Sequence, residues 1–135
     1  MPEKRNKEIT VNNKLLNSII HCLISAFIGF ALFIILTLIL NLLSFENENL
    51  FNKSGIILYI ILAVCCAISG VLAAYKNKLK AIIAGSINGI ILCLLIVSLL
   101  SLCSKMNLTV NLLVTVAVTF GFSIVAAIIY KNVKR

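Results

Sequence analysis

The chain alternates long apolar runs with short polar punctuation. Leu15 to Leu43 is the first run, closed by "SFENENLFNKS", and Gly55 to Tyr75 is the second, closed by "KNKLK". Ala81 to Cys103 follows, closed by "SKMN", and then Leu108 to Tyr130, closed by "KNVKR". Each run exceeds the roughly 18 apolar residues that a membrane-spanning helix needs. A barrel strand would alternate polar and apolar residues over about ten positions. These runs are apolar on every side, so the expectation is an all-α membrane domain over residues 15–130, a bundle of four transmembrane helices. A basic N-terminal segment (1–14) precedes it and a basic tail (131–135) follows. The sole proline, Pro2, stands ahead of every run, so no span should carry a proline kink.

The first run overshoots a ~30 Å hydrocarbon core by roughly 10 Å at about 1.5 Å per residue. Its ends then reach the headgroups, or the helix tilts. Lys4, Arg5 and Lys7 before it resemble a signal-peptide leader. The run is nevertheless too long for a signal-peptide core, and "NLLSFENE" lacks a small-x-small cleavage site. A retained span is expected.

Composition agrees with lipid as the solvent. Hydrophobic residues make up 61% of the chain and charged residues 12%, with a mean hydropathy of +1.14. Soluble domains carry about 45–50% and about 25%. The net charge of +8 sits at span ends. Lys4, Arg5, Lys7 and Lys14, then Lys76, Lys78 and Lys80, then Lys131, Lys134 and Arg135 all fall on one side of a four-span topology. Only Lys53 and Lys105 fall on the other, with Glu46 and Glu48 near the first. The positive-inside rule then predicts that both termini are cytoplasmic. Tyr75 and Tyr130 suit the headgroup belt, with lysines snorkelling beyond them. Cations dispersed in this way do not suit nucleic acid, which calls for clustered cations with helical or aromatic readers. The expected partner is the lipid bilayer, with attraction to anionic lipid as a secondary consequence.

Two weaker patterns bear on packing. "AAYKN" and "AAIIYKN" close the second and fourth spans, hinting at tandem hairpins. Small residues also recur at fourfold spacing: Gly70 and Ala74 in the second span, Ala81, Gly85 and Gly89 in the third, Gly121 in the fourth. Such faces let helix backbones approach closely. The loop between the second and third spans is short, which predicts that these are antiparallel neighbours with Gly85 and Gly89 against Gly70. Self-association, or docking of another membrane protein, is the alternative use of these faces.

Candidate chemistry is sparse. No Asp or Glu lies in any span, so a proton-coupled transporter has no obvious titrating carboxylate. His21 is the lone histidine, near the inner end of the first span. Cys22, Cys65, Cys66, Cys93 and Cys103 contain no CxxC and read as small apolar packers. No zinc-ligand spacing is present, and no cofactor or metal is expected. Asn88, between the stripe glycines, should hydrogen-bond to another helix. The expected function is therefore a non-enzymatic structural or accessory membrane protein. The alternative is a small oligomeric transporter or channel subunit, with a central cavity lined by Asn88, Ser86 or His21.

The segment "SGVLAAYKNKLKAIIAGSINGIIL" resembles the YrzE-like family of small bacterial membrane proteins. Gly70, Ala73, Ala74, Lys76, Lys78, Gly85 and Gly89 carry the likeness, and Ala81 departs from it where a glycine would be expected. The resemblance implies the four-span architecture and carries over no catalytic or binding residue.

Overall fold

The computed structural model describes residues 2–75, 77–103 and 109–134, apart from the side chains of residues 2–6, 50–52, 54, 103 and 109–111. The chain folds as four helices: α1 (Pro2–Glu46), α2 (Glu48–Ala74), α3 (Ala81–Cys103) and α4 (Thr109–Val133). All four are long and apolar enough to cross a membrane. Lys76, Lys105 and Arg135 lie outside the described residues, as do the side chains of Lys4, Arg5 and Cys103.

α1, α2 and α4 are longer than their apolar runs, and α3 coincides with its run. α1 starts at Pro2, where a proline loses no helical hydrogen bond and its fixed φ favours the first turn. Its 45 residues span about 67 Å at about 1.5 Å each, so the basic segment continues the first span as one rod. The polar stretch after Leu43 is also mostly helical. Only Asn47, in extended conformation, separates α1 from α2. Glu48 then enters the first turn of α2, where a carboxylate faces the positive end of the helix dipole.

Around the bundle the order is α1–α2–α4–α3. α2 packs most extensively on α4, α1 on α2, and α3 on α4. The consecutive helices α2 and α3 touch least among the contacting pairs, and α1 and α4 do not touch among the described residues. This corrects the expected α2–α3 neighbour pair. Residues 75–80, at about 3.3–3.6 Å each when extended, reach about 20 Å. That is enough to cross a bundle diagonal, given helix spacings of about 8–10 Å. Loop length permitted the neighbour pair without requiring it.

Close approach decides the order. A methyl group placed on Gly70 would stand 2.5 Å from the Ser123 carbonyl oxygen of α4. On Gly85 it would lie 2.9 Å from Ile124 Cα and 3.1 Å from Ala127 Cβ, and on Gly89 3.4 Å from Phe120 Cα. Gly70 of α2 and Gly85 and Gly89 of α3 thus face the same helix, α4, instead of each other. Gly29 on α1 plays a similar part, since a methyl there would meet Ser69 Cβ at 2.5 Å. Ala74 is buried and Ala81 is half-buried. Gly121 departs from the packing expectation: it lies exposed on α4, and a methyl there meets nothing within 4 Å.

α2 and α4 run parallel and end together. The rings of Tyr75 and Tyr130 sit 6.2 Å apart at 60°. Near this end the core is built from small residues, Cys22, Ala73 and Ala84. Farther in it widens to Phe33, Leu62, Leu92 and Ile96. Outward positions such as Ile20, Phe27, Ile60, Ile90 and Ile129 are large and exposed, as lipid-facing positions would be.

Gly70→Ala should lower stability by about 1–3 kcal/mol, the range for overpacking a tight interior. Gly121→Ala should be neutral or stabilising by about 0.5–1 kcal/mol through helix propensity alone. Thermal unfolding of the two variants in detergent checks both.

Candidate functional site

Asn88 is fully buried at the bundle centre, where it reaches every other helix. It lies two turns into α3, on the face that carries Gly85 and Gly89. The hollows left by those glycines bring the neighbouring backbones within reach of a short side chain. Its Nδ2 donates to Ser69 Oγ of α2 at 2.9 Å and to Ser123 Oγ of α4 at 2.9 Å. Its Oδ1 accepts from Ser25 Oγ of α1 at 2.8 Å.

The serines are partnered in turn. Ser123 donates to the Gly85 carbonyl at 3.0 Å, Ser69 to the Cys66 carbonyl at 3.2 Å, and Ser25 lies 2.8 Å from the Cys22 carbonyl. Both amide protons are therefore spent, and no buried side-chain nitrogen or oxygen among the described residues lacks a partner. The expected hydrogen bond from Asn88 to another helix becomes three. Ser25 stands out in the sequence only as a small residue four positions before Gly29, and Ser123 not at all, because a serine in an apolar run does not show which helix it will bond.

α4 continues this polar line. Thr115, Thr119 and Ser123, at fourfold spacing, are all buried. Thr119 Oγ1 bonds back to the carbonyls of Thr115 at 2.9 Å and Val116 at 3.0 Å, so its hydroxyl is satisfied within its own helix.

A second polar centre closes the end that carries Tyr75 and Tyr130. Asn77 sits just past α2, and its Oδ1 accepts the Leu79 N–H at 3.1 Å in an Asx turn. Its Nδ2 lies 3.1 Å from the Ala73 carbonyl, 3.3 Å from Cys22 Sγ and 3.4 Å from the Ser18 carbonyl. One amide thereby caps α2, shapes the loop and ties it to α1. The signal available in the sequence was an asparagine two residues before Leu79 at a helix end.

Around Asn77 lies a basic rim. A groove of about 760 Å³ runs between the α2–α3 loop and the end of α4, with Lys78, Lys80, Lys131 and Lys134 among its lining residues. Lys131 Nζ donates to the Leu79 carbonyl. Lys134 Nζ stands 5.3 Å from the Tyr75 ring centre and 5.8 Å from that of Tyr130. A smaller groove of about 220 Å³ holds Lys14, Asn17, Ser18 and His21 beside Asn77 and Lys78. His21 therefore belongs to the rim, away from the Asn88 centre, and Ser86 is half-buried. The hydrogen bonds of Asn88 go to Ser25, Ser69 and Ser123 and to neither of these two.

Cys22, Cys65 and Cys66 are buried free thiols and Cys93 is a half-buried one. No group of three metal-ligating side chains occurs among the described residues. Comparison with protein-family models, curated proteins and solved structures finds no match to this chain.

Asn88→Ala should cost about 2 kcal/mol, the sum of three interhelical hydrogen bonds averaging about 0.6 kcal/mol. Ser86→Ala should stay within about 0.5 kcal/mol of the parent. A double-mutant cycle between Asn88→Ala and Ser123→Ala, read by thermal unfolding in detergent, should return a coupling of about 0.6 kcal/mol.

Proposed function

We propose that the chain is a multi-pass protein of a bacterial cytoplasmic membrane, with both termini cytoplasmic, acting as a non-enzymatic structural or accessory protein. One observation carries this reading: the bundle centre is closed by an amide whose protons are all committed to neighbouring helices. A side chain spent in this way clamps helices together and has no donor left to offer a solute.

Orientation follows from charge. Lys14, Lys78, Lys80, Lys131 and Lys134 gather at one end of the bundle, while Lys53, Glu46 and Glu48 belong to the other. Positive residues near span ends are retained in the cytoplasm. The likeness to the YrzE-like family supports the same architecture. Self-association would have to use surfaces other than Gly70, Gly85 and Gly89, whose hollows are filled within the chain.

The competing reading, an oligomeric transporter or channel subunit, draws on the buried hydroxyls of Thr115, Thr119 and Ser123. Ion and small-solute flux in proteoliposomes separates the two. Flux at the level of protein-free vesicles is expected. Flux above that level that is lost in Asn88→Leu would replace the accessory reading with the transporter one.

Reporters test the orientation independently. Fusions after Arg135 and within the 76–80 loop should read cytoplasmic, and one within the 45–54 stretch should read external. An external C-terminal reporter is incompatible with the proposed topology.

A further inference from the structure

We propose that the groove between the α2–α3 loop and the end of α4 binds the phosphate of an anionic phospholipid headgroup, an inference that rests on the membrane reading above. The groove is lined by Lys78, Lys80, Lys131 and Lys134 together with Asn77 and Tyr130, and among the described residues no carboxylate lines it. Its volume of about 760 Å³ is ample for a headgroup.

The cations are arranged before any ligand arrives. Lys131 is anchored on the Leu79 carbonyl, and Lys134 lies against the Tyr75 and Tyr130 rings. Lys78 and Lys80 are exposed on a loop whose backbone Asn77 fixes. Pre-set side chains lose less entropy on binding.

The surroundings select an amphiphile over a free anion. Tyr75 and Tyr130 mark the headgroup level, where amphipathic aromatic rings settle. On the helices that flank the groove, Ile82, Ile83 and Ile129 are exposed and offer a surface to acyl chains. A ligand with an anionic head and apolar tails satisfies both layers together. Each lysine near an anionic lipid surface strengthens binding roughly fivefold.

The test titrates the purified full chain, in neutral detergent, with phosphatidylglycerol and separately with phosphatidylcholine, reading the melting temperature. Phosphatidylglycerol should raise it saturably, and more weakly at high salt. The double variant Lys78→Gln/Lys80→Gln should bind about thirtyfold more weakly, the equivalent of about 2 kcal/mol. Lys78→Arg/Lys80→Arg should keep most of the affinity, and Lys53→Gln at the other end all of it. Each shift is read against the same variant in phosphatidylcholine, so a general loss of stability does not imitate a loss of binding. An equal shift with phosphatidylcholine overturns the proposal, as does an unchanged affinity in the Gln variant. An equal shift with inorganic phosphate or glycerol phosphate also overturns it, in favour of a free-anion site. Alkaline extraction of membranes tests the underlying reading separately: release of the parent chain into the soluble fraction would defeat the membrane assignment itself.

Discussion

The amide of Asn88 is the point on which the bundle depends. In the bilayer that we propose as its solvent, the hydrophobic effect gives helices no reason to associate, so association falls to close packing and hydrogen bonds between helices. Asn88 hydrogen-bonds to Ser25, Ser69 and Ser123, one on each of the other helices. A rotation or axial shift of any of them would break a bond that no water could replace. An unpaired amide there would carry the full cost of a polar group in an apolar medium. The network thus acts as a register pin as well as a source of stability.

The glycines make that pin reachable. Asparagine has a short side chain, and three helices come within its span only where their backbones approach closely. Gly70 and Gly85 provide the approach by admitting Ser123 and its backbone from two sides. Ser123 then accepts from Asn88 and donates to Gly85, so packing and hydrogen bonding fix the same contact. This is why α4 comes between α2 and α3 and why the loop joining those two crosses the bundle. Toward the opposite end Phe33, Leu62 and Ile96 fill the interior, and the helices are held by side-chain volume instead of backbone proximity.

The basic end is organised by the same economy. Asn77 ties α2, the loop and α1 together through one side chain, which fixes the backbone that carries Lys78 and Lys80. The stacked ends of α2 and α4 then bring Lys131 and Lys134 to the same groove. Lysines that would serve orientation wherever they stood at this end are gathered into a defined surface.

The number of helices long and apolar enough to cross a membrane, the helical class and the separation of charge between the two ends were legible in the sequence, because they follow from local hydropathy and from charges placed at the edges of runs. The importance of Asn88 was legible too, since an amide in an apolar run must find a partner. What the sequence did not determine was which helix it would meet. An apolar helix shows much the same pattern on every side, so Gly70, Gly85 and Gly121 look alike in the sequence although the first two are packed and the third is open. Serines such as Ser25 and Ser123 gave no warning of their role, and Asn77 looked like ordinary loop. Helix order, the fate of each small residue and the partners of each amide were decided only in the tertiary structure, because close approach is a property of pairs of surfaces and a single run of residues records only one of them.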